Sequence, residues 1–291
     1  MASAAIGDQE VKDIARAFVK ARQENRVLMR YPNGRMPASL DEAYRIQEAA
    51  MAIDGRAPLG WKVGRVASSL ASEFGNDRLA GPIFSLIDGS KADGEPPIMP
   101  VLSGFAAVEG ELLARIAPNA SVAIAQRDDR AMIDALHLGI EIASSPFPEI
   151  NGHGPAVTIS DFGNNYGAVL GPNLIHHPLV DLFAAEMSLL VDGDIIGTGR
   201  PQDVLDGPFG AVRFVIEHVH RRGLGDPGGL WVSCGAVTGV HPVQAGSGVE
   251  VRLLDASLRC DTALVRSMGW TAVTDNLAAG ASAPQQVGAA G

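Results

Sequence analysis

Apolar residues recur at helical spacing in two stretches near the start of the chain, then give way to short apolar runs broken by Gly, Pro, Asn and Asp. Val11, Ile14, Ala15, Phe18 and Val19 form one stripe, which predicts a helix from residue 8 to about 25. Ser39 with Glu42 three positions on has the spacing of a capping box and opens a second helix through Ala43, Tyr44, Ile46, Ala50 and Ile53, ending near Gly55. Residues 31–37, with two prolines and a glycine, read as a loop. From Leu59 onward the texture is that of a strand-rich domain, with strands expected at 60–63, 105–116, 138–143, 167–170, 187–191, 230–237 and 248–254. Two helices are expected among them. One covers about 129–136; the other starts at Asp206-Gly207-Pro208 and buries Phe209, Val212, Ile216 and Val219. The pattern is α+β, with an N-terminal helical segment (1–58), a mixed-β catalytic domain (59–270) and an Ala/Gly-rich tail (271–291) read as disordered.

Composition narrows the setting. At 46% hydrophobic and 19% charged residues the chain belongs with ordinary globular proteins. No apolar run approaches the roughly 18 to 20 residues that span a bilayer, and residues 1–7 lack the features of a signal peptide, so a cytoplasmic location with no membrane partner is expected. Cys234 and Cys260 are too few for a disulfide framework or a thiolate zinc cluster and read as buried small apolar residues. The net charge of −10 disfavours nucleic acid as a partner. An acidic protein that holds an acidic substrate needs cations gathered in one place.

Candidate chemistry lies in three short strands. In Val108-Glu109-Gly110-Glu111-Leu112 two carboxylates sit two apart in an apolar segment, so on a strand they share a face. Alone such a pair also fits a solvated sheet face. Glu141, in Gly139-Ile140-Glu141-Ile142-Ala143, is another carboxylate in an apolar run, and three glutamates together would form a hard oxygen site suited to Mg²⁺ or Mn²⁺. Lys62, in Gly60-Trp61-Lys62-Val63-Gly64, is either a packed lysine whose amine reaches water or a buried one that needs an anionic partner. His176-His177 beside Pro178 reads as a surface loop, and Asp192-Gly193-Asp194 as a hairpin turn. Gly197-Thr198-Gly199 and Gly235-Ala236-Val237-Thr238-Gly239 lack the strand-to-helix setting of a nucleotide loop, and no Gly-x-Ser-x-Gly elbow is present.

Taken in order, Ala43-Tyr44-Arg45-Ile46-Gln47, Gly60-Trp61-Lys62-Val63-Gly64, Val108-Glu109-Gly110-Glu111, Gly139-Ile140-Glu141-Ile142, Gly167-Ala168-Val169-Leu170-Gly171, the span from Thr198-Gly199 to Asp206-Gly207-Pro208, and Gly235-Ala236-Val237-Thr238-Gly239-Val240-His241-Pro242-Val243 carry a likeness over most of the chain. The sequence resembles the 2-keto-4-pentenoate hydratase and 4-oxalocrotonate decarboxylase branch of the fumarylacetoacetate hydrolase superfamily. The resemblance implies a mixed β-barrel-like (rolled sheet) core preceded by helices. It also implies Mg²⁺ or Mn²⁺ on Glu109, Glu111 and Glu141, a 2-oxo acid chelated through its carboxylate and 2-oxo oxygens, and substrate contacts from Lys62, Thr238 and Ser160, with Lys62 catalytic. The chain departs from the family pattern at Ile83-Phe84-Ser85, Ser144-Ser145-Pro146 (for Asp-Ser-Arg) and Asp161-Phe162 (for Asp-Asn). The expected activity is that of a hydratase of a 2-hydroxy-2,4-dienoate or 2-oxo-4-enoate. Decarboxylation of the 4-oxalocrotonate type is the alternative, followed by carbon–carbon bond hydrolysis or a non-catalytic partner subunit. A hydrolase would need a His in the helical segment, and none precedes His137. A homo-oligomer is expected by analogy, as is a complex with a related decarboxylase or hydratase.

Overall fold

The computed structural model describes residues 6–91 and 95–265, so the tail at 271–291 lies outside the described residues. Two helices come first, α1 (Asp8–Gln23) and α2 (Leu40–Asp54). They are followed by β1 (Gly60–Arg65), α3 (Ser68–Phe74), β2 (Arg78–Ile83), β3 (Leu86–Asp88) and β4 (Ile98–Val101). Two long strands, β5 (Phe105–Ile116) and β6 (Ile133–Ser145), flank the short helix α4 (Val122–Ala125). Next come α5 (Pro155–Ser160), β7 (Asn165–Asn173), α6 (Leu179–Ala184), β8 (Met187–Val191) and β9 (Asp194–Gly199). The described chain closes with α7 (Gly207–Arg221), β10 (Trp231–Ser233), β11 (His241–Pro242), β12 (Gly248–Leu253) and β13 (Ala256–Leu264).

The strands form two mixed sheets in an α+β fold. The larger runs β2-β1-β10-β5-β6-β7-β3, with β11 also on β5; the smaller runs β4-β13-β12-β8-β9. Alternation along β5 and β6 decides which side chains go where. Val108, Leu112, Leu138 and Ile140 share a core with Met187, Leu189, Val249, Val251 and Leu258 of the smaller sheet. The odd-numbered Glu109, Glu111 and Glu141 therefore project from the other face.

The two N-terminal helices form where expected. Ser39 Oγ accepts from the Glu42 amide, but the Glu42 carboxylate reaches the amides of Ala38 and Ile6 rather than that of Ser39, so only half of the capping box is made. Phe18, Tyr31, Ile46, Phe147, Val157 and Phe162 share a core that joins α1 and α2 to the segment after β6. The motif residues Tyr44 and Gln47 have a structural task. β2 is an edge strand, and at Ala80 its outward N–H donates to the Tyr44 hydroxyl while its carbonyl accepts from the Gln47 amide. Two groups that would otherwise be free at a sheet edge are thereby paired.

Two expectations need correction. The helix expected at 129–136 is only a 3-10 turn at Arg130–Met132, and residues from 133 onward belong to β6. Pairing with β5 out to Ile116↔Ile133 overrides the weak local helical pattern. The strand expected at 230–237 is limited to Trp231–Ser233, because the chain then turns aside and donates the amides of Gly235 to Glu111 and of Val237 to the Gly110 carbonyl. The strands β2, β3, β4, β9, β11 and β13 and the short helices α3 to α6 go beyond the expected elements. The hairpin at Asp192-Gly193 is as expected, with both residues at positive φ (52° and 94°) between β8 and β9.

Candidate metal centre

Five adjacent strands each bring polar groups to one region. In sheet order β1 carries Lys62, β10 Ser233, β5 Glu109 and Glu111, β6 Glu141, and β7 Asn165. The register explains the convergence: Glu109 stands directly across from Glu141, Glu111 lies one side-chain repeat along, and Lys62 is level with Ser233. One carboxylate oxygen from each glutamate lies within 4.8 Å of the others. Glu111 and Glu141 are fully buried, Glu109 is 4% exposed and Lys62 5%.

The surroundings supply several donors but leave one acceptor empty. Lys62 Nζ is 3.5 Å from Glu141 Oε1, which also accepts from Asn165 Nδ2 at 3.1 Å. Ser233 Oγ contacts Glu111 Oε2 and lies 3.2 Å from Glu141 Oε2, and the Gly235 amide donates to Glu111 Oε2 at 3.1 Å. Glu111 Oε1 is buried and has no hydrogen-bond partner among the described residues. Such an orphan is costly unless something absent from the protein chain itself meets it.

Electrostatics agree. Burial, opposed by Lys62 and reinforced by Glu141, raises the Glu109 carboxyl from its ordinary 4.5 to about 7. Burial, then Glu141 and Glu109, raises Glu111 well above the usual range. At Lys62 burial acts to lower the pKa, but the combined attraction of Glu141, Glu109 and Glu111 outweighs it and the ammonium is held. Three carboxylates against one ammonium leave two formal negative charges, which matches one divalent cation. The donor set is oxygen only, as Mg²⁺ and Mn²⁺ prefer over zinc. The residues therefore fit the ion, on the evidence of the unpartnered Glu111 oxygen and the charge balance.

A cavity of about 560 Å³ opens beside Lys62 and Glu109. Its lining includes Arg65, Arg78 and Arg200, together with Asn151, Thr158 and Asn164. Arg78 is engaged by Asp77, Asp206 and the Leu205 carbonyl. Arg65 makes one long hydrogen bond to Ser68 (3.4 Å), and Arg200 has no ion pair among the described residues. Four cationic side chains, Lys62, Arg65, Arg78 and Arg200, thus line this cavity beside two acidic ones, Glu109 and Asp203.

Not every residue singled out from sequence reaches the cavity wall. Thr238 lies behind β5, where its hydroxyl accepts from the Gly110 amide at 3.0 Å. A side chain on Gly110 would press on it at 3.0 Å, which explains a glycine between the two glutamates. Ser160 is fully buried, accepts from the Tyr31 hydroxyl and donates to the Val157 carbonyl. Both cysteines are buried and free, and burial raises both thiols, as expected of packing residues. Ser233, Asn165 and the Gly235 amide were not anticipated; a serine within an expected strand and an Asn-Asn pair before another were the only signals.

No family model and no curated protein matches the chain. Solved structures match it in fold. The 4-oxalocrotonate decarboxylase from Pseudomonas putida G7, complexed with calcium and acetate, aligns with a TM-score of 0.69 at 17% identity, over 89% of this chain and 100% of that one. The same decarboxylase complexed with magnesium and adipate gives the same figures. The chain thus shares the fold of that decarboxylase, and within this fold its own register brings Glu109, Glu111, Glu141 and Lys62 together.

Proposed function

We propose that the chain is a divalent-metal-dependent lyase acting on a small 2-oxo acid, with Mg²⁺ or Mn²⁺ held by Glu109, Glu111 and Glu141. The observation that carries this reading is the unpartnered, buried Glu111 oxygen within a cluster two charges short of neutrality, set beside a cavity whose lining includes Arg65 and Arg200. When bound, the cation supplies Lewis acidity toward the 2-oxo oxygen and charge for the enolate. Lys62 Nζ, on the cavity wall, pairs with the substrate carboxylate. Against the opposing effect of burial, its ammonium form is favoured by Glu141, Glu109 and Glu111. Thr238 keeps the Glu-Gly-Glu segment in place through Gly110, and Ser160 secures α5 to Tyr31.

Two reactions follow from one enolate. Hydration of a 2-hydroxy-2,4-dienoate, ketonised at its far end before conjugate addition of water, is the reading that the sequence motifs support. Decarboxylation of a 2-oxo diacid of the 4-oxalocrotonate type is the second, and one observation favours it. Arg65 and Arg200, without ion-pair partners among the described residues, line the cavity together with Asp203, and the similar decarboxylase is solved with adipate, a dicarboxylate. Carbon–carbon bond hydrolysis would need a histidine base, and none lines the cavity among the described residues. Assembly as a homo-oligomer, alone or with a related decarboxylase or hydratase, belongs to the same reading.

Calorimetry with oxalate, which mimics the enolate, tests the site. Oxalate should bind in the presence of Mn²⁺ and not without it; absence of binding in both conditions rules the reading out. A panel of 2-hydroxydienoates and 2-oxo diacids, followed by ultraviolet loss of the conjugated chromophore and by CO₂ release, then chooses between the reactions.

A further inference from the structure

The departures from the family pattern at Ser144-Ser145 and Asp161-Phe162 meet at one residue, Arg22, on the buried face of α1. Its guanidinium holds Asp161 in a two-pronged pair, Nε to Oδ1 at 2.6 Å and Nη2 to Oδ2 at 3.0 Å. It also donates to three carbonyls, those of Asp161 (3.0 Å), Ser144 (3.1 Å) and Asn165 (2.9 Å). Ser145 Oγ donates to Asp161 Oδ2, and the Phe162 and Tyr166 rings lie 5.1 and 5.5 Å from the guanidinium carbon.

The place matters because of what the strands do there. The β6–β7 register shifts between Ile142↔Gly167 and Ala143↔Asn165, leaving Tyr166 as an extra residue on β7. Just beyond that bulge the backbone ladder stops, and Arg22 bridges the two strands by binding a carbonyl on each, Ser144 on β6 and Asn165 on β7. Asn165 is also the residue whose side chain donates to Glu141 Oε1. A single guanidinium thus fixes the backbone of the residue that orients a metal-ligating carboxylate.

We propose that Arg22 is a positioning residue for the metal centre, acting through Asn165 on Glu141 and tying helix α1 to the geometry of the site. This rests on the metal-centre reading above. Polar groups that orient metal ligands typically change metal affinity 10- to 100-fold when removed.

The test is a double-mutant cycle on Mn²⁺ affinity, read by electron paramagnetic resonance on the full chain, with thermal unfolding of the metal-free protein recorded beside it. Asn165→Ala should weaken Mn²⁺ binding roughly tenfold or more with little change in metal-free Tm. Arg22→Met should weaken it comparably, and the double variant should be no worse than the weaker single one, because both act along one path. Arg22→Lys, which keeps the charge but not the fork, should recover only part of the loss. Additive effects, or full recovery with Lys, overturn the path. If Arg22→Met does not fold, Asn165→Ala decides alone, and an unchanged Mn²⁺ Kd there overturns the proposal. Wild-type chain that fails to bind Mn²⁺ would sink the metal-centre reading instead, so the two failures are distinguishable.

Discussion

Two buried ionic clusters lie on either side of Asn165, and they are built on opposite terms. Around Arg22 the charges are one to one, both carboxylate oxygens of Asp161 are engaged, and the remaining guanidinium donors meet carbonyls. Around Glu111 three carboxylates face one lysine, and an oxygen buried as deeply as any core atom has no partner among the described residues. A buried pair with its donors and acceptors satisfied locks local geometry, whereas a cluster short of positive charge is poised to take up a cation. The difference between locking and binding lies in the count of charges and donors, since burial is nearly equal.

Neutralising one acid in each cluster should break this contrast most sharply. Asp161→Asn leaves Arg22 buried against a neutral group and should cost about 3–5 kcal/mol in metal-free stability, measured by urea unfolding. Glu111→Gln removes a charge the site cannot balance, so metal-free stability at pH 8 should rise, while Mn²⁺ affinity falls by more than about 100-fold. Equal signs for the two stability changes would erase the distinction. Replacing Glu109 by Ala should likewise abolish metal-dependent turnover while leaving the far-ultraviolet circular dichroism intact.

Lys62→Ala sharpens the comparison from within the second cluster. Turnover should drop about 100-fold or more with Mn²⁺ affinity nearly kept, because the lysine faces the cavity as well as Glu141. A normal rate would reduce Lys62 to a counter-ion.

Proton linkage gives a smaller, graded effect. The Glu109 carboxyl is raised from 4.5 to about 7, so folding favours its protonated form; that contribution is full below about pH 4.5 and is lost as pH rises through 7. Metal-free Tm should therefore fall between pH 5 and 8, and saturating Mn²⁺ should remove the fall. His218 runs the other way. Burial among Tyr44, Trp61 and Phe214, then Arg222 and Arg221, lowers it from 6.5 to about 3. Its contribution is full above pH 6.5 and lost as pH falls toward 3, and His218→Phe should blunt this acid-side loss in a pH series of melting curves.

Much of this was legible in the residues alone, for identifiable reasons. Helices α1, α2 and α7 announced themselves because an amphipathic stripe or a Pro at the first turn is a local signal. The three glutamates and Lys62 stood out because charges inside short apolar runs are rare without a purpose. Arg22 was passed over although it continues the stripe of Val11, Ala15 and Phe18. An arginine at the end of a helix ordinarily reads as a favourable charge for the helix dipole, and only Asp161, 139 positions away, reveals its other use. The false helix at 129–136 came from weighing local spacing without the partner strand.

By itself the sequence determined the alternation that puts Glu109, Glu111 and Glu141 on faces opposite to Val108, Leu112 and Ile140, because side-chain direction along a strand is a matter of counting by two. Tertiary structure alone decided that Glu109 stands across from Glu141 and that Lys62, Ser233 and Asn165 complete the row. Strand register is fixed by pairing between segments far apart in the chain and by the cores they bury, and no single segment encodes it.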